Sequence, residues 1–278
     1  MSSHSTSTLK QIACIRRKSD MTREEFFTYH FQIHGSISDK PTTPDHKPHK
    51  YIQTHFFDAA FGSRSGSTAG TGNHVWTGRD DMTELWFRDW DHLKACFGSD
   101  HVRKTIGPDG VNFNDLETAI PLMTIEKELH FGSAVTPSAR LDEGFRTVAV
   151  LFLACKAEVS EEQFERELSP ALLEVLQTYA SDEVYGIQAN ISLPQSQFDI
   201  RAYFGGKNMP EYPVTYKIYI KDRGSLTAIR KAQRIFMDSG DKLVDASNSF
   251  IAFGKEGLVF DVGSDRKFDP NRQPMLSY

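Results

Sequence analysis

Residues 22–34 read TREEFFTYHFQIH and carry the strongest local structural signal in the chain. Thr22 is a good N-cap and Glu25 follows three residues later, a pairing that forms a capping box at the start of a helix. Aromatic and apolar side chains then recur at helical spacing and bring two histidines, His30 and His34, onto one face. The stretch therefore predicts a helix with two imidazoles on its apolar side.

The same unit occurs a second time, 138 residues further along the chain. Residues 9–17 form a strand-like run ahead of the first capping box, and residues 145–153 form a similar run ahead of the second. In the second box Ser160 is the cap and Gln163 stands three residues later. The helix that follows contains Pro170, which predicts an interruption there. This repetition indicates that the two halves of the chain are related.

Each half continues with elements in the same order. Apolar runs and period-two alternation predict further strands over residues 51–57, 82–89, 118–128, 183–191, 214–222 and 249–260. Helical patterns occupy residues 90–97 and 225–236. The order β-α-β-β-α-β in each half is that of the ferredoxin-like split βαβ unit. We predict an α+β fold in which two tandem ferredoxin-like units form an intramolecular dimeric α/β barrel, with a ligand cavity between their sheets.

The duplication also predicts the domain organisation. The expected parts are a disordered tail at 1–8, a first domain at 9–129 that bears the site, a linker at 130–144, a degenerate second domain at 145–262 and a C-terminal tail at 263–278. The glycine-rich stretch 62–73 lies between two strands and lacks the Lys-Ser/Thr of a phosphate loop. It is either a lid over the cavity or a disordered surface loop.

Composition limits the classes of partner. The chain has 278 residues, a net charge of −5 and 12% aromatic residues, which suits a globular protein and argues against a nucleic-acid partner. Apolar runs are all shorter than the roughly 20 residues that span a bilayer, so we expect no membrane partner. The three scattered cysteines fit a reducing, cytoplasmic location. An internal pairing of halves is compatible with a monomer or a homodimer.

Three motifs in the first half resemble the EthD-domain family. They are residues 26–34, residues 84–87, and Asp109 followed by residues 113–115. The resemblance covers about residues 9–129 and implies the fold of the dimeric α+β barrel superfamily. For the longer, fungal members it implies dehydratase, decarboxylase or cyclase activity on aromatic polyketides. The chain departs from the family pattern at His30, where tryptophan is usual.

Histidines are distributed very unevenly between the halves. All ten lie within the first 130 residues, and at the 138-residue offset Leu168 and Leu172 replace His30 and His34. Since imidazole is the usual carrier of proton transfer near neutral pH, the first half is predicted to hold the chemistry. His34 is the leading candidate for a general base, against the alternative of a structural histidine on an apolar helix face.

Three further residues are candidate catalytic groups. Tyr29 stands five residues before His34, so it reaches the same substrate only if the helix is distorted. Glu84 is placed to orient or protonate a substrate group, or else forms an ion pair in the sheet. His55 lies on a strand whose alternating polar and aromatic residues suggest a cavity wall.

Four residues are candidates for binding substrate. Gln53 and Phe57 share the strand face of His55, Trp86 shares the face of Glu84 and would stack on an aromatic ring, and His30 lies one turn before His34. Packing in the core is the alternative for Trp86, as it is for Tyr29.

A metal site and a redox cofactor are not predicted. His30 and His34 have a spacing that allows two ligands on one ion, with His55 or Glu84 as a third. However, no Glu follows His30 in the metalloprotease pattern, and dinucleotide fingerprints are absent from the sequence.

These observations predict a cofactor-independent lyase or cyclase that dehydrates, decarboxylates or cyclises an aromatic or polyketide-like small molecule. His34 would abstract a proton, and Glu84, Tyr29 or His55 would stabilise the enolate. Two alternatives stay open at the level of sequence: an oxidative enzyme of the same barrel superfamily, and a non-catalytic binder of a reactive metabolite.

Overall fold

The computed structural model describes seven stretches of the chain. They are residues 8–61, 78–132, 146–156, 160–194, 196–204, 209–240 and 242–275. Nearly all of the predicted tail at 1–8, the glycine-rich stretch 62–73, most of the predicted linker and the last three residues lie outside the described residues.

In the described residues the strands come in two sets of four. They are β1 (Leu9–Ile15), β2 (Lys50–Phe61), β3 (Asp81–Phe87), β4 (Ile120–Leu129), β5 (Thr147–Leu153), β6 (Val184–Ser192), β7 (Val214–Ile220) and β8 (Phe250–Asp261). The α-helices are α1 (Arg23–Thr28), α2 (Ser36–Ser38), α3 (Trp90–Gly98), α4 (Gly107–Asp109), α5 (Glu161–Ala180), α6 (Ile200–Phe204) and α7 (Leu226–Ser239). Two π-helical segments, Tyr29–Gly35 and Val102–Ile106, adjoin α1 and precede α4.

The eight strands form a closed antiparallel barrel, which confirms the α+β class. Their order around the barrel is β1-β3-β2-β8-β5-β7-β6-β4. Two pairings join the halves of the chain, β2 with β8 and β4 with β6. The β2–β8 pairing is long, running from Lys50 opposite Asp261 to Phe61 opposite Phe250. The chain order of the strands and the longer helices follows the order expected from the sequence, except that the short helix α6 lies between β6 and β7 in the second half.

Packed side chains fill the interior of the barrel where the described residues line it. Alternate residues of β1, such as Ile12 and Cys14, meet Val148, Val150 and other apolar side chains of the second half there. The expected location of the cavity, between the two sheets, is therefore wrong. A cavity lies instead on the outer face of the first-half strands, between the sheet and its helices.

A buried charge network occupies the remaining part of the barrel interior. Lys10 Nζ lies 2.6 Å from Glu84 Oε1 and 2.8 Å from Glu126 Oε2. Lys217 pairs with both Glu84 and Glu256. Because Glu84 comes from β3 and Lys217 from β7, the network ties the two halves together across the barrel.

Helices cover the outside of the barrel in both halves, but they pack more closely against the strands in the second half than in the first. In the second half, α5 and α7 pack directly on the sheet. Leu168 and Leu172, the counterparts of His30 and His34, are each 1% exposed within that core. α5 also continues through Pro170 rather than breaking there. Packing of the flanking leucines holds the helix together in spite of the backbone hydrogen bond that proline removes.

The first capping box is present as predicted. Glu25 N donates to Thr22 Oγ1 over 3.2 Å, and Thr22 N donates to Glu25 Oε2 over 2.7 Å. These reciprocal bonds fix where α1 begins and so set the register of the histidine-bearing segment. None of the helices in the described part of the chain is long and apolar enough to cross a membrane.

Candidate active site

A cavity of about 420 Å³ lies between the outer face of the first-half sheet and the helical segments around it. We call it the outer cavity. Its floor is formed by alternate residues of β1 and β3, including Gln11, Ala13, Thr83 and Leu85. The walls come from the segment that carries His30 and His34, from residues 102–116, and from α6 of the second half. Most of its lining is apolar, which suits an aromatic or aliphatic ligand.

The helix after α1 changes to π geometry over Tyr29–Gly35, and this decides which side chains face together. In a regular α-helix, residues five apart point roughly 140° away from each other. The i→i+5 repeat of a π-helix brings such residues onto nearly the same face. Tyr29 and His34 are five apart, and both reach one carboxylate. The distortion that a shared site for Tyr29 and His34 required is therefore present.

That carboxylate is Asp109, at the end of α4. Its Oδ2 lies 2.8 Å from His34 Nδ1, and Tyr29 Oη donates to its Oδ1 over 2.8 Å. Asn112 Nδ2 donates to the same Oδ1 over 3.0 Å. Burial works to raise the pKa of Asp109, but the hydrogen bonds from His34, Tyr29 and Asn112 outweigh it and hold the pKa below its usual value. Asp109 is thus an ionised acceptor at neutral pH.

The Asp109 contact fixes the orientation of His34. Since the carboxylate accepts from Nδ1, the neutral imidazole carries its proton on Nδ1 and leaves Nε2 as a base. Nε2 has no hydrogen-bond partner among the described residues, and the side chain, 13% exposed, lines the outer cavity. The ring of Phe113 lies 4.9 Å away and shields the imidazole from solvent.

Tyr29 is a neutral phenol in this setting. Burial and then the hydrogen bond to Asp109 raise the pKa of Tyr29. Its hydroxyl donates to Asp109, so its immediate effect is on the carboxylate that holds His34.

His30 belongs to a buried hydrogen-bond network on the floor side of the cavity. Gln53 Nε2 donates to the His30 carbonyl over 2.9 Å and to Tyr51 Oη over 2.7 Å. Tyr51 then donates its own proton to His30 Nε2, 3.1 Å away. Burial, followed by the neighbouring His34 and His55, keeps the pKa of His30 well below its usual value. His30 is therefore neutral, and it lines the cavity together with Tyr51.

His55 and Asp81 lie deeper, behind this network. His55 Nε2 is 3.3 Å from Gln53 Oε1 and 3.6 Å from Asp81 Oδ2, and its ring stacks on Phe27 at 4.2 Å. Burial lowers the pKa of His55 to about 3. Burial, with the charges of Asp80 and Glu84, raises the pKa of Asp81. Both residues are fully buried, and the described lining of the outer cavity does not include them.

Three other sequence candidates lie away from His34. Glu84 points into the barrel interior, where burial raises its pKa but Lys10 and Lys217 outweigh that effect and lower it. Trp86 is on the same face, with Lys10 Nζ 4.6 Å from its ring centre. Phe57 packs in the core of the second half. The structure brings together His34, Tyr29, His30 and Gln53, and separates them from these three.

Asp109 is the functional residue that sequence reasoning did not assign. The sequence signal was its place in the third EthD-like motif, but motif position alone does not indicate that it would meet a helix 75 residues earlier. Among the described residues, no group of three or more His, Cys, Asp or Glu side chains has an arrangement that could hold a metal ion.

Comparison with known proteins supports the resemblance found in the motifs. Residues 18–117 match the EthD domain family, which confirms the family resemblance over a slightly shorter segment than 9–129. None of the curated proteins matches the chain.

Several solved structures are similar in architecture. A candidate monooxygenase from Fusobacterium nucleatum is 6% identical, with 91% of this chain and 93% of that chain covered and a TM-score of 0.46. A chlorite dismutase from Candidatus Nitrospira defluvii is 11% identical, with 92% and 93% covered and a TM-score of 0.41.

Proposed function

We propose that this protein, with its EthD domain over residues 18–117, is an enzyme that uses general acid–base catalysis on an aromatic or polyketide-like small molecule. The single observation that carries the proposal is the His34–Asp109 pair at the wall of a largely apolar cavity. An imidazole oriented by a carboxylate and open to a ligand pocket is an arrangement suited to proton abstraction.

The proposed reaction begins when His34 Nε2 removes a proton from an acidic carbon or a phenol of the substrate. The electron pair of the broken bond forms an enolate or phenolate, and Asp109 stabilises the imidazolium that results. His34 then returns its proton to a leaving hydroxyl, which departs as water, to the carbon that has lost carbon dioxide, or, in a ring closure, to the carbonyl oxygen of the group that the enolate carbon has attacked. Dehydration, decarboxylation and cyclisation all share this first step.

Three neighbouring residues support His34 in this scheme. Tyr29 and Asn112 hold Asp109 through its Oδ1, so they act as positioning residues. His30, kept neutral by burial, stays hydrogen-bonded to Tyr51 and contributes a fixed polar surface on the cavity floor.

We further infer that the two halves are tandem ferredoxin-like units, with domains at 9–129 and 145–262. Around the barrel the first-half strands follow the order β4-β1-β3-β2, and the second-half strands follow the corresponding order β8-β5-β7-β6. In the second half the space that matches the outer cavity is filled by leucines such as Leu168 and Leu172. This asymmetry supports a division of labour in which the first unit binds substrate.

Proton abstraction can be tested without knowing the natural substrate. The probe is 2-tetralone, a bicyclic aromatic ketone whose C1 protons are acidic, incubated with the protein in D₂O and followed by proton NMR. We expect the wild-type protein to accelerate deuterium exchange at C1, and His34→Gln to lose roughly 10²–10⁴-fold of that acceleration.

The matched control is His130→Gln, because His130 is exposed. It should exchange at the wild-type rate, and circular dichroism should show both variants folded. Wild-type exchange in folded His34→Gln would remove His34 from the role of base.

A further inference from the structure

The outer cavity contains buried polar atoms that its own residues leave unsatisfied. Among the described side chains that line it, three have a buried N or O atom without a hydrogen bond: Gln11, His30 and Asn114. The His30 atom, Nδ1, faces Asp81 at 3.5 Å. The two carboxamides have no comparable neighbour. A buried polar group without a partner is costly, so each such group calls for an explanation.

Gln11 is the more enclosed of the two. It is 2% exposed, it lies on β1 between the apolar residues of the cavity floor, and no described residue bonds its Oε1. A leucine or methionine would fill the same volume without that cost. A glutamine at this position therefore points to a ligand that bonds the amide.

Asn114 carries the second amide and belongs to the segment 102–116, which forms part of the cavity wall. It is 7% exposed, and its backbone N–H donates to the Gly110 carbonyl over 3.0 Å, so its position is fixed. It follows Phe113, whose ring lies 4.7 Å from His30 and 4.9 Å from His34. Asn114 thus directly follows a residue whose ring contacts both histidines, and its Oδ1 has no hydrogen-bond partner among the described residues.

The strand register places Gln11 at a defined distance from the histidines. Gln11 pairs with Leu85 on β3, and Leu85 pairs with Tyr51 on β2, so the three form one row across the cavity floor. With strands about 4.8 Å apart, Gln11 and Tyr51 are roughly 10 Å apart. Tyr51 contacts His30. A flat ligand lying over Leu85 would have Gln11 at one end and the histidine side at the other.

The cations of the cavity lining are already paired, which favours a neutral oxygen over an acidic group. Lys47 Nζ lies 2.8 Å from Asp39 Oδ1, and Arg103 lies 2.9 Å from Asp100 Oδ1. A carboxamide both donates and accepts, so it suits a hydroxyl or carbonyl oxygen.

We propose that Gln11 is a specificity-determining residue that binds a hydroxyl or carbonyl oxygen of a flat, neutral aromatic ligand, with Asn114 as a second contact. This inference rests on the proposed function, because it names the substrate class of the same cavity. The ligand would carry one oxygen function at the reacting end and a second at the far end of a fused ring system.

Binding of three matched probes tests the inference by titration calorimetry. The probes are 2,7-dihydroxynaphthalene, 2-naphthol and 2-methylnaphthalene, which share a bicyclic frame and lose oxygen in steps. In the wild-type protein we expect affinity to fall in that order. Gln11→Leu should weaken the binding of 2,7-dihydroxynaphthalene about tenfold, as expected for one hydrogen bond. The same substitution should change the affinity for 2-methylnaphthalene by less than about twofold.

Thermal unfolding of the free proteins gives a second readout. Gln11→Leu removes an unpartnered amide and should keep or raise the melting temperature. The matched control is Gln188→Leu, because Gln188 is also buried but bonds Glu126 and Tyr219 in the barrel interior. It should lower the melting temperature and leave the order of probe affinities unchanged.

Equal probe preferences in wild type and Gln11→Leu, or no binding of any probe to the wild type, would overturn the inference. A fall in melting temperature of Gln11→Leu with unchanged preferences would show that the amide has a structural role. The loss of affinity for 2,7-dihydroxynaphthalene caused by Gln11→Leu should be the same in a His34→Gln background as in the wild-type background. Failure of catalysis by His34 is thereby separated from failure of recognition by Gln11.

Discussion

The two nitrogens of His34 have different surroundings, and this difference sets the chemistry of the side chain. Nδ1 is held by Asp109, whereas Nε2 lines the outer cavity without a hydrogen bond to the described residues. Because the carboxylate fixes both the tautomer and the ring orientation, it contributes more than a favourable charge. The same carboxylate is itself fixed by Tyr29 and Asn112.

Asp109→Asn should therefore reduce exchange of the 2-tetralone protons by at least about 10²-fold, because an amide can present the wrong partner to Nδ1. Tyr29→Phe should reduce the exchange rate less than Asp109→Asn does, since Asn112 still donates to Asp109. The measurement is the exchange rate across pH, with Asp182→Asn as a control on an exposed aspartate of the second half. An Asp109→Asn rate equal to wild type would contradict the role given to Asp109.

His55 predicts how stability depends on pH. Burial holds its folded pKa at about 3, below the roughly 6.5 of an unfolded imidazole, so folding opposes its protonation. The contribution of His55 to the free energy of unfolding is complete above about pH 6.5. It is lost as the pH falls towards 3, by about 1.4 kcal/mol per pH unit.

Urea unfolding at pH 7, 6 and 5 measures this effect. The free energy of unfolding of His55→Gln should fall less steeply with decreasing pH than that of wild type. The difference in slope should correspond to about one proton bound on unfolding. The exposed His130→Gln should keep the wild-type slope. An unchanged slope in His55→Gln would mean that His55 does not titrate as a buried neutral imidazole.

At the scale of elements, the π-helical segment is what makes the site. The capping box and helical periodicity predicted where the helix begins and which residues it carries, because both are local patterns. The change to π geometry depends on packing against distant strands, so it could be stated from the sequence only as a condition, through the five-residue spacing of Tyr29 and His34. Gly35 ends the segment in close contact with Val259 of β8: an added Cβ would lie 3.1 Å from Val259 Cγ1.

Gly35→Ala should push this segment away from the sheet. We expect a loss of about 1 kcal/mol in the free energy of unfolding and a lower exchange rate, because the His34 position shifts with the backbone. Gly98→Ala is the control, since nothing lies within 4 Å of its added Cβ.

Val259→Ala removes the atom that the new methyl group meets, so the double variant with Gly35→Ala should recover part of both losses. Purely additive effects of the two substitutions would show that this contact does not position the segment.

At the scale of the whole molecule, the order of elements was predictable and the use of the two sheet faces was not. Alternation along β3 showed that Thr83 and Glu84 point to opposite sides, but both sides of this sheet are buried, one by helices and one by the other half. Hydrophobic pattern therefore cannot tell the cavity face from the barrel interior. Glu84, which points into the barrel, was predicted as a catalytic group together with a cavity between the two sheets, whereas Gln11 and Asp109 needed tertiary contacts to be recognised.

Glu84 gives a test of this division of faces. Lys10 and Lys217 share the carboxylate of Glu84 inside the barrel, so Glu84→Gln leaves each lysine with one carboxylate, from Glu126 and Glu256, and the buried network one negative charge short. We expect it to lower the free energy of unfolding by about 3–5 kcal/mol, because breaking a buried pair leaves an uncompensated charge. Lys104→Ala, which breaks an exposed pair with Asp100, should leave the free energy of unfolding close to that of wild type. At a temperature where Glu84→Gln stays folded, its exchange rate per folded molecule should equal that of wild type, since the residue lies across the sheet from His34. A stable Glu84→Gln protein without exchange activity would instead assign Glu84 to catalysis and place the reacting substrate inside the barrel.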